Sequence, residues 1–260
     1  MQTQTINGIK IAYERRGQGT PLVLIHGFPL DHGCWDALAP LLDGQADLIM
    51  PDLRGMGQSG FGAAGAPQGA YSVADMAADI AGLLDALKLD RVFVAAHSMG
   101  GYVAMAFARA YPQRLAGLGL VSTQALPDAP DRKAGRYATA GQVAEQGVVV
   151  VADAMAPKLT ANVAQVPDIR EMILRQPAAG VIGALKAMAE RPDSTDLLAA
   201  LKVPVAILCG QADALIPPDR SREMKTLIAQ AVLTELPGVG HSPMLEAPAE
   251  TAQTLSGLFS

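Results

Sequence analysis

Only two cysteines, Cys34 and Cys209, occur in 260 residues, too few to staple a fold with disulfides. Charged side chains are also sparse, at 17% of the chain with a formal net charge of −5. No lysine or arginine cluster offsets that balance, so no nucleic-acid partner is expected. No stretch approaches the ~20 uninterrupted apolar residues that cross a bilayer, so no membrane partner is expected either. The opening residues, MQTQTINGIKIAYERRG, lack a basic-then-apolar signal segment, and a cytoplasmic location is the expectation. No His/Cys/Asp/Glu cluster has metal-ligand spacing, and neither a metal nor another cofactor is expected. Internal repeats and low-complexity segments are missing too. What remains is apolar: half of the residues are hydrophobic, enough for a substantial core.

Those apolar residues alternate between two periods. Thr3–Ile6 and Ile9–Arg15 flank Asn7-Gly8, a strong hairpin signal, so an antiparallel pair opens the fold. Strands follow at Leu22–Ile25, Ala46–Met50, Val92–Ala96, Leu115–Val121, Val203–Leu208 and Val232–Leu236, with the buried-strand pattern at the first, third and fifth of these. Helical spacing is predicted over Cys34–Leu42, Val73–Leu87, Asp219–Ala229 and Ala249–Phe259. Strand–helix alternation of this kind makes a parallel sheet covered on both faces. Residues 124–199 interrupt it, helical by period and with no strand signal beyond Val148–Val151. They are read as a helical lid inserted into one core made of 1–123 and 200–260.

The centre of the chain is Arg91–Tyr111, where a buried strand turns abruptly into a helix with Ser98 at the apex. Ala96-His97-Ser98-Met99-Gly100 matches the nucleophile elbow G-x-S-x-G, with alanine at the first glycine. So tight a turn strains the serine and needs small residues two before and two after it. A serine hydroxyl is a weak nucleophile at neutral pH, so it needs a base, and the base needs an orienting acid. Histidine suits the base, its ordinary pKa lying near 6.5. Of the four histidines only His241 follows the elbow, on a loop after the last strand at the carboxyl edge of the sheet. Asp213 follows the strand Val205–Leu208 directly and is the favoured acid, with Asp128 as its rival. Asp219, Glu223 and Glu246 read as solvated helix positions. His26 reads as structural, His97 as the variable residue before the serine, and His32 has no evident partner.

Acyl transfer also needs two N–H donors for the oxyanion. Met99, directly after the nucleophile, supplies one. Phe28 in His26-Gly27-Phe28-Pro29 supplies the other, since Pro29 has no N–H. Gly55-Met56-Gly57-Gln58-Ser59-Gly60 fits a dinucleotide fingerprint, but Phe61–Gly69 reads as loop, so no helix opens at Gly60 and the match is discounted.

Together HGFP at 26–29, DLRGMGQS at 52–59, AHSMGG at 96–101, GQADALIP at 210–217 and GHSPMLEAP at 240–248 resemble the α/β-hydrolase superfamily over nearly the whole chain. Within it the chain is most similar to small bacterial carboxylesterases and the enol-lactonase-like group. That resemblance implies an α/β-hydrolase fold, a mostly parallel eight-stranded sheet with helices on both faces and a helical lid. It implies hydrolysis of short to medium carboxylic esters through an acyl-enzyme, by Ser98, His241 and Asp213, with a small-molecule ester and water as partners. The alternatives are a 3-oxoadipate enol-lactonase-like hydrolase, a cofactor-free perhydrolase with the same triad, and a non-catalytic receptor on this fold. The acyl pocket is expected among Phe28, Trp35, Met99, Met155, Leu159, Met188, Ile216 and Met244. The lid cations Arg132, Lys133, Arg136, Lys158, Arg170, Arg175, Lys186 and Arg191 have acidic neighbours and read as solvated, so neutral esters are the expectation.

Overall fold

The computed structural model describes residues 1–62 and 71–259. Strands β1 (Gln2–Ile6) and β2 (Ile9–Gly17) form the opening hairpin, in register at Ile6 and Ile9. Asn7 and Gly8 both have positive φ, 50° and 78°, as the tight turn that matches strand twist requires. Six more strands follow: β3 (Thr20–Ile25), β4 (Ala46–Pro51), β5 (Val92–His97), β6 (Leu115–Val121), β7 (Val205–Gly210) and β8 (Val232–Leu236). They join one eight-stranded sheet in the order β1-β2-β4-β3-β5-β6-β7-β8. Only the β1–β2 and β2–β4 pairs are antiparallel. The inner parallel strands are covered on both faces, which is why β7 is apolar and buried throughout, whereas the edge strand β8 is only partly buried.

Helix α1 (Val73–Ala86) starts at a capping box: Ser72 Oγ accepts from the Asp75 N–H, and the Asp75 carboxylate accepts from the Ser72 N–H. Helix α2 (Met99–Ala110) leaves the elbow and packs against α1 and β5. Between β6 and β7 come α3 (Pro130–Gln146), α4 (Val149–Met155), α5 (Val166–Leu174), α6 (Ala178–Ala189) and α7 (Thr195–Ala200), with no strand among them. Helix α8 (Pro218–Leu227) lies against β7 and β8. Helix α7 packs on α2 and α8, so the segment 124–199 reaches into a helix that sits with the core.

Three local expectations differ. Cys34–Leu42 is two short 3-10 turns, His32–Trp35 and Ala39–Leu41, because Pro40 cannot donate to a continuing helix. The Val148–Val151 run caps and opens helix α4, its β-branched residues overridden by burial of Val151 and Ala152 within the lid segment. The final helix expected at Ala249–Phe259 is α10 (Pro248–Ser256), and the loop expected before it carries a short helix, α9 (Pro243–Glu246). After Gly60 no helix opens over the described residues 61 and 62, and the rest of the loop expected at Phe61–Gly69 lies outside the described residues. No helix among the described residues is long and apolar enough to cross a membrane.

Candidate active site

Ser98 sits between β5 and α2 at φ 52°, ψ −114°, a conformation that costs free energy for any residue with a Cβ. Its surroundings fix it there. The Ser98 N–H donates to Val121 O at 2.9 Å, and Thr123 Oγ1 donates to Ser98 O at 2.8 Å. A Cβ on Gly100 would lie 2.5 Å from Ile25 O, so α2 meets β3 more closely than any other residue permits.

The loop between β8 and α9 brings His241 over this serine. Its Nε2 is 2.9 Å from Ser98 Oγ, and its Nδ1 is 2.7 Å from Asp213 Oδ2. A carboxylate only accepts, so Nδ1 carries the proton and Nε2 is left to accept from the hydroxyl. Asp213, on the loop after β7, is aimed by its other oxygen, which accepts the N–H groups of Leu215 and Ile216 at 2.8 and 2.9 Å. His241 and the Asp213 side chain are almost fully buried. The structure therefore brings Ser98, His241 and Asp213 together. Asp128 is elsewhere, paired with arginines.

Beside the serine, Met99 is the first residue of α2, where no carbonyl a turn behind can accept its N–H. The N–H of Phe28, in the loop after β3, donates to no protein acceptor among the described residues. The Phe28–Pro29 peptide is cis. His26 secures this loop, donating from Nδ1 to Gly27 O and accepting the Leu53 N–H at Nε2, both at 2.9 Å.

A small cavity of about 40 Å³ opens over these groups, lined by Phe28, Ser98, Tyr102, Arg132, Arg136, Met155, Met188, Leu215, Ile216 and His241. Of the expected pocket residues, Phe28, Met155, Met188 and Ile216 line it. The side chains of Trp35, Met99, Leu159 and Met244 do not; each is fully buried in the core, where apolar bulk packs better than it would at a wet site. A larger apolar hollow of about 210 Å³ lies between α1, α2 and Arg191, but it holds none of the reacting groups.

The lid cations also depart from expectation. Lys133 and Arg170 pair with Glu190 and Asp153 at the surface, as solvated residues do. Arg136 and Arg191 instead turn inward onto the buried carboxylate of Asp128. Burial alone would raise the Asp128 pKa, but the hydrogen bond from Arg136 and the charge of both arginines hold it below its ordinary value. The sequence signal was present: Arg132, Arg136, Ala140 and Val143 recur at helical spacing, and the last two are the buried face of α3.

The sequence profile of the Alpha/beta hydrolase family matches residues 22–254. The chain belongs to that family. A solved thermophilic esterase from Thermogutta terrifontis, described as malate bound, is 40% identical with a TM-score of 0.93, over 99% of this chain and 97% of that one. An enol-lactonase from Burkholderia xenovorans LB400 shares the fold, with a TM-score of 0.90 at 24% identity over 99% of both chains. Among curated proteins, the uncharacterized protein Rv2715 of Mycobacterium tuberculosis is 38% identical over 47% of this chain and 34% of its own. The chain thus spans about a third of the length of the first curated relatives it matches.

Two further residues, His97 and Glu246, shape the site of this alpha/beta hydrolase. His97 is fully buried, and its Nε2 donates to the backbone carbonyl of His241 at 2.8 Å, tying the elbow to the loop of the base. It is therefore a positioning residue. Glu246 is not solvated either: it accepts the N–H groups of Gly240 and Ser242 on the His241 loop and of Ala161 in the lid. His32 has a partner after all, Asp52, at 2.7 Å. The His97 role has no local signal, because its partner is a backbone group 144 residues away, whereas two of the three Glu246 partners lie four and six residues away on its own loop.

Two expected results follow from these burials. Asp128→Asn leaves the guanidinium of Arg191, 2% exposed, without its counter-charge, and should cost about 3 kcal/mol of stability. A loss under ~1 kcal/mol by urea unfolding would mean the pair contributes little. His97 and His26 have pKa values lowered from 6.5, chiefly by burial. The unfolded chain takes up the protons that these rings refuse, so their stabilisation is complete above pH 6.5 and is lost on acidification. His32, raised by its hydrogen bond to Asp52, acts in the opposite sense. With two rings against one, Tm should fall between about pH 6.5 and 5. His97→Asn should flatten that slope, and an unchanged slope would remove His97 from the account.

Proposed function

We propose that this hydrolase is a serine carboxylesterase, cleaving esters of short to medium acyl chain through an acyl-enzyme. The observation that carries the reading is the hydrogen-bonded line from Ser98 Oγ through His241 to Asp213. Ser98 Oγ attacks the ester carbonyl while His241 Nε2 takes its proton, and Asp213 stabilises the imidazolium. The carbonyl oxygen, now an oxyanion, receives the N–H groups of Met99 and Phe28. Collapse expels the alcohol with the proton from Nε2. Water then repeats the sequence on the acyl-enzyme, releasing the acid and freeing Ser98. Every step uses these residues and water, so no metal or other cofactor is called for. The esterase described above, 40% identical, supports the same reading.

The confined cavity favours short acyl groups. On a p-nitrophenyl ester series, kcat/KM should be highest between acetate and butyrate and about tenfold lower by octanoate. No turnover of any member would count against an esterase.

A further inference from the structure

The same cavity carries positive charge that the fold leaves uncompensated. Three guanidiniums, from Arg132, Arg136 and Arg191, converge on the single carboxylate of Asp128. Two of them are used structurally. Arg191 donates to Asp128 at 2.8 Å, to Met188 O and to Leu126 O, and stacks on Tyr102 with its guanidinium 4.1 Å from the ring centre. Arg136 donates to both Asp128 oxygens. Arg132 is left over. Its one ion pair is a 3.5 Å approach of Nε to Asp128, and among the described residues it hydrogen-bonds to no protein acceptor. Its side chain is 44% exposed, yet it lines the cavity that holds Ser98 and His241. Among the described residues no carboxylate lines the cavity, and Asp213, behind His241, is occupied by that ring and two backbone N–H groups. Arg132 and Arg136 stand four residues apart on α3, so they share a face over the serine.

We propose that Arg132, steadied by Arg136 and Asp128, is an anion subsite, and that the preferred substrates are esters whose acyl group ends in a carboxylate. This rests on the ester-hydrolase reading and narrows it, replacing the neutral esters expected from sequence. A guanidinium with free donors binds a carboxylate by charge-assisted hydrogen bonds, and partial burial strengthens them. The acyl side is the one served, because the acyl group stays on Ser98 through both half-reactions while the alcohol leaves after the first.

Ethyl hemisuccinate and ethyl 4-methylpentanoate test the assignment, since they differ only by a carboxylate in place of an isopropyl group. With ethanol release as readout, kcat/KM should favour the hemiester by about tenfold or more at low salt. The preference should shrink as ionic strength rises. Arg132→Gln should bring the ratio near one, mainly through a higher KM for the hemiester, and Arg132→Lys should keep part of it. Each ratio is taken on one preparation, so loss of folded protein cancels, and the salt series on the unaltered enzyme needs no variant. A wild-type preference for the neutral ester overturns the subsite and leaves the esterase reading standing. A hemiester preference that survives Arg132→Gln overturns it as well. Turnover of neither ester, nor of p-nitrophenyl acetate, overturns both readings together.

Discussion

Ser98→Ala should lower kcat on p-nitrophenyl butyrate by on the order of 10⁵ to 10⁶-fold, with a Tm close to that of the unaltered protein. Among the described residues the hydroxyl is the only side-chain group within hydrogen-bond reach of His241 Nε2, and no second nucleophile stands ready there. The elbow does not depend on that hydroxyl. Its backbone is fixed by the bonds to Val121 O and from Thr123 Oγ1, and both survive in alanine. The N–H groups of Met99 and Phe28 survive as well, so some stabilisation of a developing oxyanion persists. That residue of catalysis is why a measurable remnant is expected and complete silence is not. Activity within tenfold of wild type would dismiss the acyl-enzyme route.

Asp213→Asn should cost about 10⁴-fold in kcat with little change in KM. The position dictates how the amide must sit. One oxygen of Asp213 accepts from Leu215 and Ile216, and an asparagine carbonyl can keep both bonds. Its NH₂ then faces His241 Nδ1, which can only answer by accepting. The ring is driven into the tautomer with its proton on Nε2, facing Ser98, and can no longer take the serine proton. Asp128→Asn offers the contrast, since it acts on stability and on Arg191. If Asp213→Asn turned over esters at near wild-type rate while Asp128→Asn did not, the orienting acid would have to be reassigned.

Much of this arrangement was legible before any coordinates, and the reason is local. The elbow, the HGFP loop and the Asp213 and His241 loops each follow a strand whose apolar run marks where the chain must emerge. Strand order then brings these loops to one edge of the sheet. What was not legible depends on which face of a lid helix points inward. Arg132 and Arg136 have Asp131 and Glu190 as acidic company, and composition alone reads that mixture as solvated. The 4-4-3 spacing to Ala140 and Val143 places them on the inner face, and only the periodicity carries that information. His97 was missed for another reason: it serves a backbone group 144 residues away, and the Glu246 bond to Ala161 likewise spans 85 residues. No pattern within a window of sequence records such a bond. Trp35 misled because bulk near a catalytic loop in sequence was taken for bulk near it in space.

The reacting groups hang from the ends of β3, β5, β7 and β8, whereas the charged part of the roof belongs to the first turns of one helix, α3. The two sets meet across the cavity, and none of the ion pairs of Arg132 or Arg136 reaches a reacting group. Selection can therefore rewrite what enters this protein by altering position 132, while Arg136 stays bound to Asp128 and the groups on the strand ends are left untouched. The buried face at Ala140 and Val143 anchors the same helix, so its exposed beginning can vary without setting the rest adrift. A lineage built this way can diversify its diet faster than its chemistry.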